Sequence, residues 1–181
     1  MATKWKLVDD YTVEIWFRIA KDDDGYPELK NWEQLLARPV LKRDDYFQLE
    51  SIPFYLKNVS RGDIIRAEII ENKEIQEGEI FQFEDVVDRG GHNTYRLLLR
   101  KKRPNDPAFT IDELLKKGLF VEEQYGDFFA IDVPPAVDQQ AIDGYLRAER
   151  REGRWELQDG YLSKTIAEHR EIMPPKRSGP H

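Results

Sequence analysis

The residues best suited to chemistry lie around His92, where a titratable ring is close in sequence to carboxylate, amide and guanidinium groups. The group comprises Asp88, Arg89, His92, Asn93, Thr94 and Arg96. A hairpin tip would bring these donors and acceptors together as a recognition surface. A structural interpretation is favoured, in which Asn93 and Asp88 satisfy turn backbone while Arg96 pairs with Glu84 or Asp85 across strands. His92 and Arg96 stay candidate partner-binding residues.

Three acidic clusters lie near predicted turns or strand ends and are candidate contacts for an arginine- or lysine-rich surface. They comprise Asp22, Asp23 and Asp24, then Asp44 and Asp45, then Glu122 and Glu123. The first cluster resembles a calcium loop superficially. It lacks the alternating oxygen ligands and the terminal glutamate of an EF-hand, so the sequence predicts no metal site there.

Motifs for catalysis and for cofactor binding are absent from the sequence. The histidines are His92, His169 and His181, and none forms a helical pair or a His-Glu-x-x-His arrangement. No cysteine is present, which excludes disulfides, thiolate zinc sites and cysteine nucleophiles. Glycine-rich phosphate loops and the Gly-x-Ser-x-Gly elbow are also missing. We therefore predict no catalytic residue, no metal and no cofactor.

The charge balance restricts the class of partner. The chain has 181 residues, with 28 basic and 35 acidic side chains and a formal net charge of -7. Nucleic-acid binding needs clustered lysine and arginine, so this balance disfavours it and favours a basic protein partner. No run of about 18 apolar residues and no secretory signal occurs, so we expect no membrane association and a cytoplasmic location.

The N-terminal half carries the pattern of a small, curled antiparallel β-sheet or barrel. Residues 11–19 alternate between apolar and polar, which predicts a half-buried strand. Leucine and tryptophan at helical spacing from Leu29 through Trp32 to Leu36, ahead of Pro39, predict a short helix. Further strand patterns cover residues 46–52, 63–71, 80–87 and 94–100.

The C-terminal half predicts a ferredoxin-like unit. Thr110 and Glu113 have capping-box spacing, and Gly118 suits the end of that helix. Two strands of a hairpin follow, then a helix capped by Asp138 and a last strand near residues 154–158. With the strand at residues 94–100, this gives the order βαββαβ.

The predicted fold class is therefore α+β. An antiparallel β subdomain with one short helix spans residues 1–92, and the ferredoxin-like subdomain spans residues 93–162. Residues 163–181 form a C-terminal extension that we expect to be partly mobile.

Several turn and strand motifs resemble those of a small bacterial family catalogued as a domain of unknown function. They are Ile52-Pro53-Phe54, Asn58 to Ile65, Val86 to Arg96, and Ala130 to Pro135. The resemblance covers most of residues 11–160, and no catalytic residues carry over. Members of such families resemble the immunity proteins encoded beside bacterial polymorphic toxins, which bind a cognate toxin domain and block it.

The resemblance, the acidity and the missing catalytic motifs together favour an immunity protein that binds a cognate toxin and occludes its active site. An acidic inhibitor would associate quickly with a basic toxin through electrostatic steering. Two other classes stay open. One is a small-ligand sensor with an apolar pocket between the hairpin and the helices. The other is an enzyme that reverses a toxin's modification, with His92, Arg96 and nearby carboxylates in a cleft.

Overall fold

The computed structural model describes residues 5–19, 31–100 and 106–172. Within these ranges the chain forms nine strands and three helices, and the strands divide between two mainly antiparallel sheets. The predicted mixed fold, rich in strands, is confirmed at this level. None of the helices in the described ranges is long and apolar enough to cross a membrane.

The first sheet closes into a five-stranded barrel. Its strands are β1 (Val13–Arg18), β2 (Trp32–Pro39), β3 (Tyr46–Leu49), β4 (Ile64–Glu71) and β5 (Glu79–Asp88). Neighbours in chain order pair antiparallel, and a short parallel pairing of β1 with β5 closes the barrel. Ile15 and Phe17 point inward and are buried, as the alternation in β1 predicts.

The helix predicted between Leu29 and Leu36 is wrong. Strand β2 occupies most of that segment, and Leu29 lies outside the described residues. Glu33, Leu35 and Ala37 are buried at alternate positions, whereas Leu36 is 45 % exposed. Apolar residues three and four positions apart fit a helix period, but pairing with β1 and β3 makes this segment a barrel strand and imposes a period of two.

The second sheet is antiparallel and is covered by helices on one face. Its strands are β6 (Asn93–Leu99), β7 (Phe120–Tyr125), β8 (Phe128–Val133) and β9 (Trp155–Asp159), in the order β7-β8-β6-β9. Helices α1 (Asp106–Lys116) and α2 (Gln139–Arg151) share one core cluster with this sheet. The cluster contains Tyr95, Leu97 and Phe129 from the strands, Leu114 from α1 and Leu146 from α2.

The sequence predicted some of the helix ends correctly and one of them incorrectly. Helix α1 begins at Asp106, so Thr110 is a buried interior residue and the predicted capping box is wrong. Pro107 in the first turn is compatible with a helix there, because its missing N–H would have no intrahelical partner. Gly118 follows α1 at a φ of 82°, and the Asp138 side chain caps α2, as predicted.

Helix α3 (Lys164–Ile172) lies in the predicted C-terminal extension, while residues 173–181 lie outside the described residues. Ile166 is fully buried, and Arg170 forms ion pairs with Asp143 of α2 and with Asp159 of β9. The Tyr95 hydroxyl also donates to Asp143, at 2.9 Å. Burial alone would raise the pKa of Asp143, but the hydrogen bonds from Arg170 and Tyr95 outweigh it and lower the pKa.

Replacing Arg170 with alanine should therefore detach α3. The change leaves the buried carboxylate of Asp143 with fewer partners, and we expect the free energy of unfolding to fall by about 2 kcal/mol in urea titration. Lys164→Ala, on the same helix, is the control because Lys164 pairs with Glu168 in an exposed position. Equal losses for the two variants would contradict the docking role of Arg170.

Candidate functional site

Residues 50–63, here called the junction loop, connect β3 with β4 and lie between the barrel and the second sheet. Leu56 and Val59 from this loop are buried in the core cluster of the barrel. Ile52 is also buried, at 1 % exposure. The loop therefore closes one end of the barrel and presents its other side to the second sheet.

Glu33 fixes the junction loop to the barrel. Its carboxylate accepts hydrogen bonds from the backbone N–H groups of Phe54 at 2.6 Å, Tyr55 at 3.1 Å and Leu56 at 3.2 Å. The side chain is 7 % exposed. Burial raises the pKa of Glu33, and the hydrogen bonds from the loop partly offset that rise.

Side chains of the second sheet hold the opposite side of the junction loop. Arg96 donates to the carbonyl oxygen of Leu56, and Glu122 accepts from the backbone N–H of Ile52 at 3.2 Å. The Tyr55 hydroxyl lies 2.8 Å from the side-chain oxygen of Gln124. These bonds join the loop to β6 and β7, so both sheets determine its conformation.

Arg96 does not pair with Glu84 or Asp85, and that predicted pairing is wrong. Those carboxylates contact Arg66 instead, at 2.9 Å and 3.2 Å respectively. The reason is topological, since Arg66 on β4 lies beside β5 in the barrel whereas Arg96 belongs to the second sheet. Arg96 is 2 % exposed and is buried between β6 and the junction loop.

The ring of His92 is held on both sides. Its Nδ1 lies 2.9 Å from each carboxylate oxygen of the fully buried Asp132, and Arg61 approaches the same carboxylate at 3.9 Å. Its Nε2 faces Gly62, where an added Cβ would lie 2.7 Å from that nitrogen. His92 therefore fastens the end of the junction loop to β8, which is a structural role.

Asp63 fastens the same end of the loop to the segment after β5. Its carboxylate accepts from the backbone N–H groups of Ser60 and Gly90 and from the Arg89 guanidinium, at 2.8 to 3.0 Å. Burial raises the pKa of Asp63, whereas the Gly90 bond and the Arg89 charge lower it. Through Asp63, the junction loop is thus joined to Arg89 and Gly90, which follow β5.

A cleft of about 530 Å³, here called the junction cleft, opens between the barrel, the junction loop and β7. Four aromatic residues and two glutamates are among the residues that line it. The lining residues are Trp16, Asn31, Trp32, Glu33, Gln34, Leu35, Ser51, Ile52, Phe54, Tyr55, Glu122 and Gln124. The charged residues among these lining residues are Glu33 and Glu122, both acidic.

Among the acidic candidates that the structure describes, Glu122 is the one at the junction cleft. Glu122 lines the cleft, whereas Glu123 is the next residue along β7 and is exposed. Asp44 and Asp45 are exposed residues between β2 and β3 that do not line it. The cluster at residues 22–24 lies outside the described residues. In the ranges that the structure covers, no three histidine, aspartate or glutamate side chains are grouped to hold a metal ion.

The hairpin of β4 and β5 carries most of the net charge, which the sequence reading did not single out. Residues 64–88 contain eight acidic and two basic side chains, giving a formal charge of -6 against -7 for the whole chain. The acidic residues are Glu68, Glu71, Glu74, Glu77, Glu79, Glu84, Asp85 and Asp88. A count of charged residues within each predicted hairpin of the sequence would have identified this acidic hairpin.

A sequence model of the family described as Domain of unknown function (DUF4265) matches residues 33–157. No curated protein matches the chain. The crystal structure of a hypothetical protein from Neisseria gonorrhoeae is similar, with a TM-score of 0.60 and 15 % sequence identity. The similarity covers 84 % of this chain and 96 % of that one. At this identity the likeness shows the fold alone.

Gly62→Ala tests the packing of His92. The new Cβ would collide with the ring at a φ of 81°, and we expect the free energy of unfolding to fall by about 2 to 3 kcal/mol. Gly78→Ala is the matched control, because Gly78 has a φ of 98° with nothing within 4 Å, so it should lose only about 1 kcal/mol. Chemical denaturation measures both, and equal losses would argue against a ring held on Gly62.

Glu33→Gln tests the anchor of the junction loop. An amide offers one acceptor oxygen where the carboxylate offers two, so at least one of the three backbone donors loses its partner. We expect amide hydrogen exchange at Phe54, Tyr55 and Leu56 to accelerate by about tenfold, with a smaller change in the barrel core. Glu14→Gln, an exposed change on β1, should leave these amides unaffected. Unchanged protection in Glu33→Gln would contradict the anchor.

Proposed function

This chain belongs to the family described as Domain of unknown function (DUF4265), and we propose that it is a non-catalytic binding protein that neutralises a basic partner, as immunity proteins do. The junction cleft is the observation that carries this proposal. It combines aromatic and carboxylate walls and lies where two parts of the fold meet, a common position for binding sites. A partner inserting a basic group there would have its own surface covered by the surrounding barrel and β7.

The acidic hairpin of β4 and β5 supports a basic partner. Concentrated negative charge on one hairpin raises the rate of encounter with a positively charged surface, and salt screens that effect. Ile69 on the same hairpin is 58 % exposed, so an apolar contact is available among the carboxylates. A protein that inhibits a basic toxin would use the negative charge to attract it and the exposed Ile69 to contact it.

The structural role of His92 favours binding over catalysis. A general base needs a ring nitrogen within reach of a substrate, but Nδ1 faces Asp132 and Nε2 faces Gly62. Arg96 is committed to the junction loop by its bond to Leu56. These structural contacts of His92 and Arg96 support the proposal of a binding protein over that of an enzyme that reverses a toxin's modification.

We further propose that the second half is a ferredoxin-like unit in the cytoplasm. The strand order β7-β8-β6-β9, with α1 and α2 packed on one face, supports that architecture. In such a unit the other face of the sheet is available for contacts, and here the junction loop covers part of it. A cysteine-free chain suits a reducing compartment.

A small-ligand sensor is the second candidate function, and the size of the junction cleft is what favours it. Its volume of about 530 Å³ is within the range of small-molecule sites. The cleft lies against the junction loop and the barrel, not between the hairpin and the helices as the sensor hypothesis expected. A rise in thermal stability with a metabolite, without a protein partner, would favour sensing.

The proposal predicts one-to-one binding to the protein encoded by the adjacent gene. Titration calorimetry should give a submicromolar Kd at low salt, and affinity should fall by about tenfold at high salt as the surface charges are screened. Co-expression should also relieve any growth arrest that the partner causes. Absence of both binding and relief would contradict the proposal.

Paired variants, compared by surface plasmon resonance with the same partner, separate the effect of local charge from that of net charge. Glu71→Gln with Glu79→Gln removes two charges from the hairpin, and the association rate should fall about fivefold with little change in dissociation. Glu168→Gln with Glu171→Gln removes two exposed charges from α3 and should have a much smaller effect. Equal slowing by both pairs would show that the hairpin has no special part in the encounter.

A further inference from the structure

We propose that the junction cleft recognises one arginine side chain of the partner, with the guanidinium against aromatic rings and Glu122 as its counter-ion. This inference rests on the proposed function, since it assigns the chemistry by which a basic partner occupies the cleft. It also names residues that neither the family description nor the similar structure assigns.

The aromatic walls come from two separate elements of the fold. Trp16 lies between the inward-facing Ile15 and Phe17, and Trp32 precedes the buried Glu33, so both belong to the outer face of the barrel. Phe54 and Tyr55 belong to the junction loop. A guanidinium is planar and weakly hydrated and is attracted to the faces of such rings, most strongly to tryptophan. The guanidinium of Arg18 lies 5.9 Å from the centroid of the Trp32 ring, so a guanidinium can approach this ring. A guanidinium of the partner would displace Arg18 or use the opposite face of the ring.

Glu122 supplies the charge at a fixed position. Its Oε1 accepts from the backbone of Ile52, which holds the half-buried carboxylate toward the cleft. Glu33 also lines the cleft, but its carboxylate accepts from three backbone N–H groups of the junction loop. Burial raises the pKa of Glu122, while the hydrogen bond from Ile52 and the positive charge of Arg61 partly offset that rise. The negative charge of Asp132 adds to the rise.

The remaining polar lining matches a donor-rich ligand. Gln34, Gln124 and Ser51 contribute side-chain oxygens that can accept hydrogen bonds. A guanidinium carries several N–H donors and no acceptor, so it can use a carboxylate and neutral oxygens together. A lysine ammonium is more strongly hydrated and stacks less well on rings. A neutral donor could form a hydrogen bond with Glu122 but would lack the charge–charge attraction that a guanidinium adds.

The test uses the capped tripeptide acetyl-Gly-Arg-Gly-amide and its citrulline counterpart, which has nearly the same shape without the charge. Both are titrated into the whole protein while the tryptophan indole N–H signals are followed by NMR. Trp16 and Trp32 should shift with a Kd of about 1 mM for the arginine peptide, and at least about fivefold more weakly for citrulline. Trp5 and Trp155 are internal references, because their indole nitrogens donate to Asp88 and to the backbone of Leu146.

Two glutamate variants give a matched comparison. Glu122→Gln keeps an oxygen for the Ile52 N–H but removes the charge, and we expect arginine-peptide affinity to fall about threefold or more. Glu123→Gln removes the same charge from the adjacent, exposed residue and should leave affinity unchanged. Trp32→Leu is an independent cleft variant, and its thermal unfolding is measured alongside to establish that it is folded.

Equal binding of the arginine and citrulline peptides would overturn the inference, as would equal effects of the two glutamate variants. Uniform shifts of all four tryptophan signals would overturn it too. If the arginine peptide does not bind but the adjacent gene product does, the arginine site is rejected and the proposed function is not. Selective peptide binding without any protein partner would support the site and reject the proposed function.

Discussion

The junction loop can form a wall of the cleft only because Glu33 holds it at the mouth of the barrel. Transfer of the Glu33 carboxylate from water to this buried position costs on the order of several kcal/mol of free energy. Its three hydrogen bonds from backbone N–H groups offset a comparable amount. The anchor therefore contributes little net stability and mainly specifies geometry. Phe54 and Tyr55 occupy their places in the cleft because their own backbone N–H groups are the ones that Glu33 binds.

The second sheet fixes the loop from the other side through Arg96, Glu122 and the His92–Asp132 pair. Each of these groups satisfies a buried partner, which explains why so many charged residues are concentrated between two apolar cores. Glu122 differs from the others because it also lines an open cleft. The proposed binding role of Glu122 thus falls on a residue that also has a structural role, and a rigid junction loop would lower the entropic cost of binding in the cleft.

Local patterns predicted much of the fold, whereas the site depended on long-range pairing. The alternation through Ile15 and Phe17, the cap at Asp138 and the glycine at 118 were readable because each is determined by neighbours in the chain. Strand β2 was predicted as a helix because its apolar spacing fits both a helix and a strand. Pairing with the neighbouring strands of the barrel determines which of the two forms. The cleft was not predictable, since it joins residues from β1, β2, the junction loop and β7 that no sequence motif connects.

Hydrogen–deuterium exchange of the complex with the adjacent gene product tests the junction cleft most directly as the partner-binding site. If the partner occupies the cleft, amides in residues 51–55 and 120–125 should become protected, along with the hairpin of β4 and β5, while helices α1 and α2 keep their free-state exchange. Protection confined to α1 and α2, with the junction loop exchanging as in the free protein, would contradict it.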